Sequence, residues 1–209
     1  MKKSFLIIIS LIVSLSVFCQ ATDPKAKAVI DKAAAKMQNG AYTADAKLTF
    51  TAQQGDKTVQ NGAINMSGNK FRLKMNDMET IFDGKTQWVY AEKLNEVTIS
   101  EPDKTELEQI SPVAMIGGYA KKYRIAFETA DEDGFYHIAL YPNNKDSEFF
   151  RIRLLINKKT NELSKIEMSN RNGERITIEL SAFKTLAVTP ETFVFQKNKY
   201  PKVLVNDLR

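Results

Sequence analysis

Side chains that commonly do chemistry are scarce in this sequence. His137 is the single histidine and Cys19 the single cysteine, and no GxSxG elbow is present. A nucleophilic triad and a zinc site both need more partners of these types than the chain offers. Asp131 and Asp133 lie in a predicted turn, where acidic residues need no catalytic role. The sequence therefore predicts no enzyme, no metal site and no cofactor, and it predicts a half-buried structural role for His137.

The first 19 residues have the composition of a secretory signal peptide. A basic start is followed by an apolar run from Phe5 to Val17, which is too short to span a membrane. We expect cleavage after Cys19. The mature protein would then be a single domain of residues 20–209 that contains no cysteine and no disulfide. The alternative is an acylated Cys19 that anchors the protein, although Phe18 stands where such signals have a small residue.

The charge balance argues against nucleic acid as a ligand. The chain has 30 basic and 25 acidic side chains, a net charge of +5. Removing Lys2 and Lys3 with the signal peptide leaves 28 against 25, or +3. Such a small and scattered excess does not predict a nucleic-acid interface.

The remaining chain alternates in the manner of antiparallel strands. Phe71, Leu73 and Met75 alternate with Arg72 and Lys74, which is the period of a strand with one apolar face. After breaks at 76–77 and at the Asp-Gly turn 83–84, we expect the same face to continue through Met78, Phe82, Trp88, Tyr90, Val97 and Ile99. Similar alternation covers residues 42–50, 62–66, 123–128, 135–141, 150–156, 163–168 and 176–180. The fold class is therefore mainly β, with some helix.

The sequence predicts two helical segments. Asp23-Pro24 is an N-cap followed by proline, and Asn39-Gly40 ends an amphipathic helix with an alanine-rich face. Residues 104–118 form a second segment, divided at Ser111-Pro112. Its apolar positions are Leu107, Ile110, Val113, Met115 and Ile116.

The block FDGKTQWVYAEKLNEVTIS (residues 82–100) resembles the signature of the periplasmic outer-membrane lipoprotein carrier family, LolA. The order of the elements is also similar to that family, as are Thr192–Phe195 and Val203–Arg209 near the end of the chain. The resemblance implies an open, strongly curved antiparallel sheet, an incomplete β-barrel, with an N-terminal helix and a mid-chain helical lid. In two places the chain departs from the family. Lys70 stands near the position of a lid-holding arginine, and Leu73 replaces a tryptophan.

The resemblance further implies a monomeric periplasmic carrier that shuttles lipoproteins from the inner to the outer membrane. Its partners would be acylated lipoproteins, an inner-membrane lipoprotein-releasing ABC complex, and an outer-membrane receptor or the membrane itself. The lid would be the segment with Leu107, Ile110, Val113, Met115 and Ile116. The lipid-binding wall would consist of Leu48, Phe50, Ile64, Met66, Phe71, Leu73, Met75, Phe82, Trp88, Ile138, Leu140, Ile152 and Leu154.

Alternatives remain open from the residues alone. The apolar face could be a filled core rather than a cavity; we favour the cavity for Trp88 and the core for Tyr90. Arg151 and Arg153 fit a solvated outer face or a docking patch for an acidic partner. The rival functions are a sensor of mislocalised lipoprotein, a carrier of another lipid, and a scaffold.

Overall fold

The structure is a computed structural model that describes residues 22–103, 106–107, 116, 118–119, 122–128 and 134–209. The predicted signal peptide lies outside this part of the chain. The N-terminal helix is α1 (Pro24–Asn39). The strands are β1 (Ala41–Thr51), β2 (Lys57–Ser67), β3 (Lys70–Met75), β4 (Met78–Phe82), β5 (Gln87–Ala91), β6 (Glu96–Ser100), β7 (Tyr123–Phe127), β8 (Phe135–Pro142), β9 (Phe149–Asn157), β10 (Leu163–Asn170), β11 (Arg175–Thr185) and β12 (Leu204–Asp207).

These strands form one open sheet in the order β12-β6-β5-β4-β3-β2-β1-β11-β10-β9-β8-β7. Neighbours are antiparallel except for β12, which joins β6 in parallel. β1 lies in the middle, paired with β2 on one side and with β11, from far along the chain, on the other. The predicted mainly β class with an open antiparallel sheet is confirmed.

Helix α1 covers one face of the sheet, which we name the inner face. The Asp23 carboxylate accepts hydrogen bonds from the backbone N–H groups of Lys25 (2.8 Å) and Ala26 (3.2 Å), so the predicted N-cap is confirmed. Ala26, Ile30, Ala33 and Met37 face the sheet and are at most 3% exposed. Two of these four contacts are alanine, which lets the helix lie close to the strands.

Only part of the mid-chain segment is described. Leu107 is partly buried and Ile116 is buried, and both pack with the main core that α1 covers. Ile110, Val113 and Met115 lie outside the described residues. The helical lid over residues 104–118 therefore stays a prediction.

One expectation about the first meander is wrong. The β4–β5 connection pairs Phe82 with Gln87, so Ile81 pairs with Trp88 and Glu79 with Tyr90. Directly paired residues project to the same side of a sheet. Because Arg72 pairs with Ile81, Trp88 and Tyr90 lie with Arg72 on the outer face, opposite Phe71 and Phe82. Val97 and Ile99 follow them there.

The outer face of β4–β6 has a core of its own. After β11 the chain runs through residues 186–203, which we name the C-terminal strap, before it forms β12. The strap is irregular apart from a short 3-10 helix at Lys197–Lys199. Ile81, Tyr90, Val97, Phe195 and Val203 are buried together there, and Trp88 and Tyr200 pack against them. One sheet therefore separates two apolar cores.

Candidate functional site

Twelve of the thirteen predicted wall residues lie on the inner face. The register carries this face from β4 through β1 to β8, with register shifts only at 43–45 in β1 and near the two ends of β10. The exception is Trp88, which belongs to the outer core. The twelve are Leu48, Phe50, Ile64, Met66, Phe71, Leu73, Met75, Phe82, Ile138, Leu140, Ile152 and Leu154.

Burial divides these twelve residues into two groups. Eight are at most 2% exposed and pack in the core that includes the buried face of α1. They are Ile64, Met66, Phe71, Phe82, Ile138, Leu140, Ile152 and Leu154. The other four are accessible: Leu48, Leu73 and Met75 are half-buried, and Phe50 is 40% exposed. Apolar side chains of the protein itself thus fill one part of the inner face and leave another part accessible.

Three of these four residues, Leu48, Phe50 and Met75, lie toward the strand ends that are farther from the junction between α1 and β1. Leu73 pairs with Ile64 nearer that junction, and Leu73 and Met75 pack partly against the main core. Phe50 is next to the last residue of β1 and pairs with Ile176, while Leu48 pairs with Ile178. Across the sheet, Met75 pairs with Met78 at the β3–β4 turn, and Met78 is 44% exposed. Methionine side chains adapt to varied apolar shapes. This accessible end (Leu48, Phe50, Met75, Met78, Ile176 and Ile178) is the candidate site for an apolar ligand.

On the outer face, Arg72 attaches the C-terminal strap to the sheet. Its Nε donates to the carbonyl of Thr192 (2.9 Å), and its second terminal nitrogen donates to the carbonyl of Val194 (3.0 Å). The remaining nitrogen pairs with the Glu79 carboxylate at 3.0 Å. Sequence reasoning gave Arg72 only a place on the polar face. The missed signal was Ile81, an apolar residue on the same side of the neighbouring strand.

Tyr200 completes this attachment. Its hydroxyl donates to Glu79 (3.1 Å), and its ring stacks on Phe195 with centroids 4.6 Å apart. The Tyr90 ring lies 4.5 Å from that of Tyr200. Burial and the negative charge of Glu79 raise the pKa of Tyr200 above its ordinary value. The neutral phenol is therefore the form that this site favours.

Arg151 and Arg153 lie on the outer face of β9, as the alternation predicted. Arg153 bonds to Glu128 through Nε and contacts Glu167 at 3.3 Å. The hydrogen bond with Glu128 raises the pKa of Arg153. Arg151 contacts Glu128 at 3.5 Å. Both arginines are about 30% exposed (27% and 31%), so they form a half-buried ionic network rather than a fully solvated face.

Other features do not suggest chemistry. No group of three or more His, Cys, Asp or Glu side chains in the described part is placed to hold a metal ion. His137 is half-buried on β8, opposite Leu155, and Asp131 and Asp133 lie outside the described residues. Two grooves, of about 280 and 420 Å³, have charged side chains in their linings, such as Lys74 and Glu79 or Asp45 and Glu179. Neither suits a hydrocarbon chain.

Comparison with known protein families identifies the family of this chain. Residues 41–196 match the family described as outer membrane lipoprotein carrier protein LolA. The chain belongs to this family. The match runs from the first residue of β1 into the C-terminal strap. It therefore includes every residue of the accessible end of the inner face and most of the strap. The family resemblance predicted from residues 82–100 is confirmed. Lys70 is exposed at the start of β3.

Solved structures share the fold at low sequence identity. An uncharacterized conserved protein from Thermus thermophilus is 13% identical, with a TM-score of 0.60, over 88% of this chain and 99% of its own. The complex of MucA and MucB from Pseudomonas aeruginosa matches with 12% identity and a TM-score of 0.51, over 83% of this chain and 62% of that chain. No curated protein matches the sequence. No helix in the described ranges is long and apolar enough to cross a membrane.

Proposed function

We propose that this LolA-family chain is a periplasmic carrier that holds the acyl chains of lipoproteins at the accessible end of its inner face. The observation that carries the proposal is the exposure of Phe50 (40%), near the end of β1 on the face whose other part is a packed apolar core. Met78 (44% exposed), at the β3–β4 turn, extends the accessible apolar surface to the edge of a charged groove. Large apolar side chains left exposed on one face of a sheet mark a surface with an apolar ligand or partner. Membership of a lipoprotein carrier family makes the acyl chain of a lipoprotein the favoured ligand.

The energetics suit reversible binding. Each buried methylene contributes about 0.8 kcal/mol, so ten methylenes on this surface gain about 8 kcal/mol. A closed cavity that buried every acyl chain of a lipoprotein completely would hold the cargo too strongly for release. In this role the carrier takes lipoprotein from an inner-membrane ABC complex and delivers it to an outer-membrane receptor or to the membrane. It performs no covalent chemistry, and the donor complex supplies the energy. Signal-peptide cleavage after Cys19 puts the domain in the periplasm.

The test is a pair of matched substitutions. Phe50→Glu puts a charge on the accessible inner surface, whereas Val59→Glu puts one on the outer side of β2, where Val59 is 47% exposed opposite Thr49. Both side chains are accessible, so both variants should fold, which circular dichroism checks. We expect protein from the native periplasm to carry a triacylated peptide by native mass spectrometry. The Phe50→Glu variant should lose this mass and the release of lipoprotein from spheroplasts, and Val59→Glu should keep both.

Each other result selects a rival. A free lipid without peptide would indicate a carrier of another lipid. A co-purifying regulatory protein that leaves when lipoprotein is added would indicate a sensor. Retention of the peptide by the folded Phe50→Glu variant, or no bound mass on the wild-type protein, would refute acyl binding at this surface.

A further inference from the structure

A row of arginines crosses the outer face of the second half of the sheet. Arg151 on β9 pairs with Ser169, Ser169 with Arg175 on β11, and Arg175 with Thr51. At the other end, Arg124 on β7 pairs with Tyr141 of β8. Leu140 pairs with Ile152, which sets Tyr141 beside Arg151. The arginine row (Arg124, Arg151 and Arg175) thus has a guanidinium on every second strand, with hydroxyl side chains on the strands between.

The positive charge of this row is only partly balanced. Arg151 reaches Glu128 at 3.5 Å and Arg175 reaches Glu167 at 3.7 Å. Both carboxylates are shared with Arg153, which is bound more closely to Glu128. Arg124 stacks on the Tyr141 ring at 4.3 Å. In this part of the described surface, four guanidiniums therefore face two carboxylates, and the Nε of Arg151 is buried without a hydrogen-bond partner.

The spacing of the row matches an extended peptide. Neighbouring strands are about 4.8 Å apart, so arginines on every second strand repeat at about 10 Å. An extended chain in the polyproline II conformation has three residues per turn and advances about 3.1 Å per residue, so every third side chain lies on the same side and repeats at about 9 Å. Arginine binds carboxylates through two parallel hydrogen bonds. The half-buried Tyr141 and Thr51 offer hydroxyl groups for further hydrogen bonds to such a chain, whereas Ser169 is 6% exposed.

From this geometry we infer that the arginine row binds an extended acidic segment of a partner protein that lies across β7–β11. Arg153, on the same face, is held by Glu128 and Glu167, so the cations of the row lie in one line across the strands. Such a line suits a chain better than a layer of lipid headgroups, which would meet the whole face. The inference is independent of what the inner face carries, since the two surfaces are on opposite sides of the sheet.

A designed peptide pair tests this inference. The probe is a fluorescein-labelled peptide of four Glu-Ser-Gly repeats, and its counterpart has Gln in place of each Glu. Binding to the full mature chain is measured by fluorescence anisotropy at low ionic strength. We compare the Arg124→Gln/Arg151→Gln/Arg175→Gln variant with a Lys25→Gln/Lys32→Gln/Lys70→Gln control, in which exposed lysines elsewhere lose the same charge. We expect the arginine variant to bind the acidic peptide about tenfold more weakly, the lysine control to change less than about twofold, and added salt to weaken wild-type binding.

Three outcomes would overturn the inference: equal binding of the Gln peptide, equal losses in both triple variants, or row-dependent binding to phosphatidylglycerol vesicles without binding to the peptide. If circular dichroism shows that the triple variant is misfolded, Arg175→Gln alone replaces it, because the Arg175 side chain is 49% exposed. That single variant should weaken peptide binding about threefold, and an unchanged affinity would equally refute the assignment.

Discussion

At the scale of single residues, Arg72 makes a set of contacts that no neighbour can replace. A planar guanidinium reaches two carbonyls of the C-terminal strap and the Glu79 carboxylate together. Lysine has the charge but not the fork. Without Arg72, two strap carbonyls lose a hydrogen-bond donor, and the half-buried Glu79 keeps the Tyr200 hydroxyl but loses its ion pair.

We therefore expect Arg72→Met to lower the free energy of unfolding by about 2 kcal/mol. Lys74→Met is the matched control, because Lys74 lies on the same face of β3, its side chain is 61% exposed, and its contact with Glu92 is long at 3.9 Å. The Lys74→Met substitution should lower the free energy of unfolding by about 0.5 kcal/mol or less. Urea unfolding followed by the fluorescence of Trp88, the single tryptophan, measures both. Equal losses in the two variants would contradict the role of Arg72.

Tyr200 predicts how the strap responds to alkaline pH. Its pKa is raised in the folded state, so the folded protein binds the phenol proton more tightly than the unfolded chain does. The resulting stability is fully present below the ordinary tyrosine pKa of about 10 and is lost as pH rises through the folded-state value. We expect the wild-type protein to lose stability above about pH 10 more steeply than Tyr200→Phe, which has no proton to release there. Urea midpoints at pH 8 to 11 compare them, and parallel pH curves would refute this account.

At the scale of elements, local patterns predicted most of the fold. The cap at Asp23 and the strand alternation are short-range signals, and each is found in the structure. The face of Trp88 was predicted wrongly because both sides of β4 and β5 are apolar, so alternation alone does not say which side each residue joins. The four-residue connection between Phe82 and Gln87 decides that question.

Helix α1 offers a test of how closely the inner face is packed. Ala33 is fully buried against the sheet, whereas Ala35 on the same helix is exposed. Ala33→Leu should overpack this contact and lower the free energy of unfolding by about 1–3 kcal/mol. Ala35→Leu, with a similar helix propensity, should change it by less than about 0.5 kcal/mol. Thermal unfolding of both variants checks this, and tolerance of leucine at position 33 would mean that α1 can move away from the sheet without cost.

At the scale of the whole molecule, one sheet separates two apolar cores, and a different part of the chain covers each of them. The inner core belongs to α1 and the strands, and its accessible end is the proposed lipid surface. The outer core belongs to the strap, whose residues follow β11 and return to β4–β6. Periodicity cannot reveal this division, because it depends on the pairing of β1 with β11 and on where the strap returns. These are contacts between residues far apart in the sequence, and no local pattern encodes them.

This division predicts the positions at which a bound lipid can quench the fluorescence of a tryptophan. Trp88 lies on the outer face, about the thickness of a sheet away from the proposed site, so lipids with brominated acyl chains should leave its fluorescence nearly unchanged. Phe50→Trp in a Trp88→Phe background moves the single tryptophan to the accessible end of the inner face. Direct contact with the brominated chain should then quench it strongly, since bromine quenches at short range.

The matched control is Val59→Trp in the same Trp88→Phe background. Its tryptophan would be as accessible to water as one at position 50, but it would lie on the outer side of β2. Fluorescence titration with brominated and unbrominated lipid separates contact from a general change of environment. Quenching at position 50 alone places the chain on the inner surface. Quenching of Trp88 in the wild-type protein would instead put the lipid beneath the strap, because the sheet that separates the two cores leaves no path for contact from the inner side.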